Sequence, residues 1–202
     1  HYPDNVRTIF SDSKNNIWVG TGNGISMFDG KTWTNYDDGN GLSNDLINSI
    51  REDSAGNIWA CSSHAVYKLD GKKWNSLRFR NDTMALRCFI IDKKGAFWFC
   101  TDNGVIRVFN NSIRLYYGRD PEIYNLFLSA IETDRNEIWF GSGYGILKFN
   151  GTSWNHITLE EYFPYMIVSS IVNDKNRNIW VGTEPVAPMD SDENAGLIRF
   201  DG

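Results

Sequence analysis

Residues Asn16–Trp33 read NIWVGTGNGISMFDGKTW, an apolar run followed at once by Gly20, Gly22 and Gly24. Taken alone, glycines so placed suit a loop whose backbone N–H groups close on a phosphate at the mouth of a helix. The stretch recurs, however: NIWACSSHAVYKLDGKKW begins at Asn57, AFWFCTDNGVIRVFNNSI at Ala96 and EIWFGSGYGILKFNGTSW at Glu137, and a fifth copy opens NIWVGTEPV at Asn178 and closes AGLIRFDG at Gly202. The leading tryptophans, Trp18, Trp59, Trp98, Trp139 and Trp180, are 41, 39, 41 and 41 residues apart, the blade length of a propeller.

Working outward, each copy resolves into four short strands, A to D. Strand B surrounds the tryptophan, a turn such as Thr21-Gly22-Asn23-Gly24 leads to strand C, and Asp29-Gly30 turns into strand D at Trp33. Upstream lies strand A, with two apolar residues three apart and then an aspartate: Val6, Ile9, Asp12; Ile47, Ile50, Asp53; Leu86, Phe89, Asp92; Leu128, Ile131, Asp134; and Val168, Ile171, Asp174. In that alignment the fourth copy is one residue short between aspartate and tryptophan. The aspartates are expected to accept backbone N–H groups in the A–B turns, a structural role. Strand B is apolar on both faces (Ile17, Trp18, Val19), which suits a sheet stacked between two others, so the five tryptophans are expected in the core. No segment has helical periodicity.

The expected fold is all-β: a β-propeller of five four-stranded blades of ~40 residues, the last lacking its outer strand. It forms one domain over residues 1–202, with repeats at approximately 6–46, 47–85, 86–127, 128–167 and 168–202. A small five-bladed ring is expected over an open arc, which would expose two apolar blade faces. The phosphate reading falls with the repeat, because Gly20-Thr21-Gly22-Asn23-Gly24 aligns with Cys61-Ser62-Ser63-His64-Ala65 and precedes a strand. The glycines then serve backbone geometry.

Composition narrows function further. A net charge of -5 and pI near 5.2, without a basic cluster, argue against a nucleic-acid partner. No apolar stretch reaches membrane-spanning length, and a chain that starts at His1 reads as a processed or excised piece. Cys61, Cys88 and Cys100 lack the spacing of a disulfide framework or zinc cage and are expected as buried thiols in small-residue slots, without a Cys88–Cys100 bridge. His1, His64 and His156 stand apart from any hydrolase or metalloprotease signature. No cofactor is expected.

The unit D-x-x-[GN]-x-I-W-[VF]-G-[TS]-x-x-G-[IL]-x-x-[FY]-[DN]-G, with the linker Gly41-Leu42-Ser43-Asn44-Asp45-Leu46-Ile47, resembles the two-component regulator propeller repeat over essentially the whole chain. Copies one, four and five match most closely; copy two departs at Cys61, His64 and Ala65, and copy three at Phe97, Cys100 and Phe109-Asn110-Asn111. The resemblance implies a non-enzymatic propeller, periplasmic or secreted, of the kind that forms the sensor region of hybrid histidine kinases, some of which sense glycan fragments. Two alternatives stand beside it: a small propeller enzyme, lyase or glycoside hydrolase, whose paired acids come from different blades, and an interaction scaffold that self-associates through an unpaired blade edge.

A ligand is expected where the B–C turns and the starts of strand A share one face. That places Asn23, His64, Asn103, Tyr144 and Glu184 beside Arg7, Asn48, Arg87, Ser129 and Ser169, positions that vary between copies while the core repeats. Aromatic linker residues, among them Tyr36, Tyr116, Tyr124 and Tyr162, suit the C–H faces of sugar rings, so a polar small molecule or oligosaccharide is the expected ligand; packing between blades is the competing reading for them. The fifth copy carries a ten-residue insertion between strands B and C. Its Asp190, Asp192 and Asn194 have the first spacings of a calcium loop, but Ala195 replaces the turn glycine, and a solvated acidic loop is the expected reading.

Overall fold

A computed structural model describes residues 5–43, 46–78, 85–116, 126–143, 145–159, 166–185 and 196–201. The chain divides into two compact units, His1–Gly95 and Ala96–Gly202. Among the described residues all regular structure is β apart from one 3-10 turn at Asp38–Asn40.

In the first unit β1 (Thr8–Ser11), β2 (Ile17–Thr21), β3 (Gly24–Phe28) and β4 (Trp33–Tyr36) form one antiparallel sheet in chain order. Strands β5 (Ile47–Glu52), β6 (Ile58–Ser62), β7 (Ala65–Asp70) and β8 (Lys73–Arg78) form a second, and β9 (Leu86–Ile91) opens the third. In the second unit β10 (Phe97–Thr101), β11 (Gly104–Phe109) and β12 (Ser112–Tyr116) continue the third sheet. They are followed by the sheet β13 (Phe127–Glu132), β14 (Ile138–Ser142), β15 (Gly145–Phe149) and β16 (Trp154–Thr158). A three-stranded sheet ends the chain: β17 (Met166–Asn173), β18 (Ile179–Pro185) and β19 (Leu197–Phe200). These are the five expected propeller blades, the last without an outer strand among the described residues. Within each unit the A strands of successive blades pack together, β5 on β1 and β2 and β17 on β13 and β14, so strand A is innermost and strand D outermost.

Register corrects one alignment. Ile9 pairs with Val19 and Ile50 with Ala60; in blade four the equivalent pair is Ala130 with Phe140. The repeat positions there are Phe127, Ala130 and Thr133, not Leu128, Ile131 and Asp134, and no residue is missing between turn and tryptophan. The sequence misleads because Asp134 sits one place beyond the position that an aspartate holds elsewhere.

The strand-B tryptophans differ in burial. Trp18, Trp98 and Trp139 are buried, whereas Trp59 and Trp180 are half-buried. Trp18 stacks on Tyr36 and meets Trp74 edge-on, at centroid distances of 6.1 and 6.3 Å. In the second unit Trp154 covers Trp98 and Tyr116 in the same way, at 6.4 and 4.9 Å. The D-strand tryptophan of one blade thus seals the B-strand tryptophan of the blade before it. Across strands B and C a cation lies over the indole or beside it: Lys68 over Trp59, Arg107 over Trp98 and Lys148 over Trp139, at 5.2, 5.1 and 4.5 Å.

The A–B turns carry the expected aspartate role in four blades; in blade three Asp92 accepts from the Lys94 N–H. Asp12 accepts from the backbone N–H groups of Lys14 and Asn16, from Asn16 Nδ2 and from Trp18 Nε1; Asp53 and Asp174 repeat the set with Trp59 and Trp180. In blade four Thr133 Oγ1 accepts from the Glu137 N–H, and the Glu137 carboxylate reaches Trp139 Nε1 at 3.0 Å. Asp134 is instead exposed and pairs with Arg177 at 3.2 Å. Cys61, Cys88 and Cys100 are buried thiols, and burial together with Cys88 raises the Cys61 thiol well above its ordinary range.

Candidate functional site

The B–C turn is built from its last strand residue. Thr21, Ser62, Thr101, Ser142 and Thr183 all lie three residues after the blade's tryptophan, and each carries a hydroxyl. Thr21 Oγ1 donates to the Gly24 carbonyl and accepts from the Asn23 N–H; Thr101 Oγ1 does the same with Gly104 and Asn103. Ser62 Oγ accepts from the N–H groups of His64 and Ala65, and Ser142 Oγ donates to the Gly145 carbonyl. The lock satisfies the buried turn backbone and turns the intervening side chain outward, so Asn23, His64 and Asn103 are exposed. Gly24, at φ 123°, is required there because a Cβ would strike the Tyr36 carbonyl. Sequence reasoning passed over these hydroxyls, although their invariant spacing from tryptophan was the available signal.

In the first unit the structure brings several expected residues together. Leu86 N–H donates to the Ser63 carbonyl, which sets the His64 turn beside the start of β9 and the exposed Arg87. Asn48 belongs to this cluster, but its Nδ2 donates to the Leu86 carbonyl at 2.8 Å and to Ser63 Oγ at 3.2 Å, so its amide holds the cluster and is not presented to a ligand. Arg7, exposed, precedes β1 and donates its N–H to Gly20. Asn23 lies at an open cleft of about 370 Å³ whose polar lining includes Thr21, Ser26, Asn35 and Asp37. Imidazole, guanidinium and amide groups on one rim offer donors to hydroxyl or carboxylate oxygens.

Other expectations are corrected. Glu184 is not in a tight turn: β18 runs on to Pro185, and Glu184 pairs with Ile167, its side chain exposed. Tyr36 is buried against Trp18, and burial raises its hydroxyl pKa; Tyr116 is half-buried against Trp98. Both are packing residues, since sealing an indole takes the ring face that a sugar would need. Tyr144, Tyr124, Tyr162, Asp190, Asp192 and Asn194 lie outside the described residues.

Repeating four-stranded blades with a variable rim define a β-propeller repeat protein. Residues 3–23, 41–64 and 162–184 match the family model of the two-component regulator propeller, as the sequence resemblance anticipated. Among solved structures the chain is similar to the extracellular domains of two putative hybrid two-component systems from B. thetaiotaomicron. The first has a TM-score of 0.77 at 19% identity over 99% of this chain, and the second 0.76 at 20% over 98%. The chain spans 28% of the length of each. It is also similar to a virginiamycin B lyase from Staphylococcus aureus solved with quinupristin, with a TM-score of 0.75 at 13% identity, covering 97% of this chain and 69% of that one. At these identities the likeness is one of fold. No curated protein matches the sequence significantly.

Proposed function

We propose that this chain is part of the ligand-sensing propeller of an extracytoplasmic sensor in two-component signalling, and that its B–C rim recognises a polar small molecule or oligosaccharide. The observation that carries the reading is the contrast within each turn. A hydroxyl three residues after the tryptophan recurs in every copy, while the side chain turned outward beside it changes from Asn23 to His64 to Asn103. Packing alone does not ask for that variety, whereas a surface that recognises an asymmetric ligand does. Arg87 beside His64 adds a charged donor that suits an acidic sugar or another carboxylate. The family match and the extracellular domains of similar fold support the sensor setting.

The test is a thermal-shift screen of neutral and acidic oligosaccharides against the intact chain. A ligand at 100 times its Kd stabilises by ~2.7 kcal/mol, which in a chain of this size raises Tm by roughly 5–10 °C. The expected outcome is a shift with at least one acidic glycan that His64→Ala and Arg87→Ala abolish without lowering the unliganded Tm. A screen in which no glycan shifts the wild type would sink the carbohydrate reading.

A further inference from the structure

The A–B turns lie at the opposite end of each antiparallel sheet from the B–C turns, and in the second unit those of blades four and five enclose a cleft of about 270 Å³. Both signs of charge line it, Arg135, Lys148 and Arg177 against Asp134, Glu137 and Asp201. Trp139 and Ile179 add apolar surface. Glu137 and Lys148 are half-buried and pair at 3.6 Å; Asp134 and Arg177 are exposed and pair from one blade to the next at 3.2 Å. The corresponding place in the first unit, between blades one and two, is a smaller cleft of about 190 Å³ closed by a strap: the Ser13 N–H and Oγ both donate to the Glu52 carboxylate at 2.7 Å. In the second unit Asp134 stands for Ser13 and Asn173 for Glu52, and Asn173 turns its amide to the Glu132 carbonyl, so that strap is gone. Glu137 stands for Asn16, Lys148 for Met27 and Arg177 for Gly56. Four uncharged positions thus become charged around one opening.

Arg177 also sits at φ 69°, in the left-handed region, at a turn position that the other blades fill with Asn15, Gly56, Gly95 and Asn136, the residue types that enter it most readily. Packing does not account for a strained arginine, since its side chain is exposed; a role at the mouth of the cleft does. A guanidinium carries a fork of N–H donors that a single carboxylate does not exhaust, so Arg177 keeps donors for a second oxyanion beside Asp134. A simple anion would meet Asp134 and Glu137, and a simple cation Arg135 and Arg177, whereas an α-amino acid carries both charges next to each other, as Arg177 and Asp134 do. The volume, just under the ~300–1,000 Å³ of pockets for drug-sized molecules, suits a ligand that small. We propose that this cleft binds a free α-amino acid, its carboxylate on Arg177 and Arg135, its ammonium on Asp134 and its side chain toward Trp139 and Ile179. The site lies at the other end of the blades from the B–C rim and takes a different class of ligand.

The probes are the standard L-amino acids, each titrated into the intact chain by calorimetry. At least one should bind saturably at one-to-one stoichiometry, and its N-acetyl and C-terminal amide derivatives, which delete one charge each, should both bind at least tenfold more weakly. Arg177→Gly relieves the positive φ, so it should leave the unliganded Tm unchanged or raise it while weakening binding at least tenfold. Arg135→Ala, a change at an exposed side chain, should weaken binding as well without lowering Tm. Absence of binding by every amino acid overturns the proposal, and so does binding indifferent to both variants. An N-acetyl derivative that binds as tightly as the free amino acid would make the cleft a plain anion site and overturn it equally.

Discussion

Gly141, in β14, has nothing unusual about its backbone, yet a Cβ there would run into Ser129 Oγ, into Val168 Cγ1 at 2.5 Å and into the Val168 carbonyl oxygen at 2.7 Å. The constraint comes from the next blade pressing on strand B. A carbonyl held in a β ladder cannot swing aside as a long side chain can. Gly141→Ala should therefore destabilise by ~1–3 kcal/mol, the usual cost of overpacking, read as a lower urea midpoint at unchanged slope. An unchanged midpoint would mean that the blades slide apart freely. Blades two and three fill the same slot with Cys61 and Cys100, both fully buried, so the slot's size differs from one blade boundary to the next. From the sequence these glycines look alike, and only the neighbouring strand distinguishes Gly141, a matter of close approach, from Gly24, a matter of φ.

Among the elements, strand D adds an aromatic contact onto the preceding blade at two places. In the first unit Trp74 of β8 is 3% exposed because it closes over Trp18 and Tyr36, whereas Trp33 of β4, at the same position of its own blade, is 57% exposed and touches mainly Phe28. Trp74→Ala should cost ~3–5 kcal/mol, as expected for emptying a buried indole site; Trp33→Ala should cost under about 1 kcal/mol. Equal losses in chemical denaturation would contradict the sealing role. Four D-strand positions in the repeat were plain in the sequence. Which of them packs onto a neighbouring ring cluster was not, because Trp74 and Trp154 meet rings 38 to 56 residues away in the chain.

For the molecule as a whole, the capped aspartates couple stability to pH. Burial by itself would raise the Asp12 and Asp53 carboxyls, but the hydrogen bonds from indole, amide and backbone outweigh it and hold both below the ordinary value of 3.8. At Asp174 the Trp180 and Asn178 bonds lead, and the carboxyl falls to about 2. A depressed carboxyl stabilises the fold fully above its unfolded value and loses that contribution as pH drops through the folded value. Stability should fall between about pH 4 and pH 2, and the triple variant Asp12→Asn, Asp53→Asn, Asp174→Asn should show a shallower fall in urea titrations at each pH. Identical slopes would remove the caps as the cause. The tryptophan period, the turn glycines and the hydrophobic alternation were enough to define the blades, their strands and their order, because these depend on local backbone geometry and on which faces are apolar. Much of the rim was legible too, since Asn23, His64 and Asn103 follow from the turn. The Thr133 and Glu137 cap of blade four is local, but only the strand register revealed it. Tertiary structure alone decided that Asn48 is spent on the Leu86 carbonyl and that Tyr36 and Tyr116 pack under Trp74 and Trp154, because each of these partners lies some 38 positions away and is brought near by stacking one blade on the next.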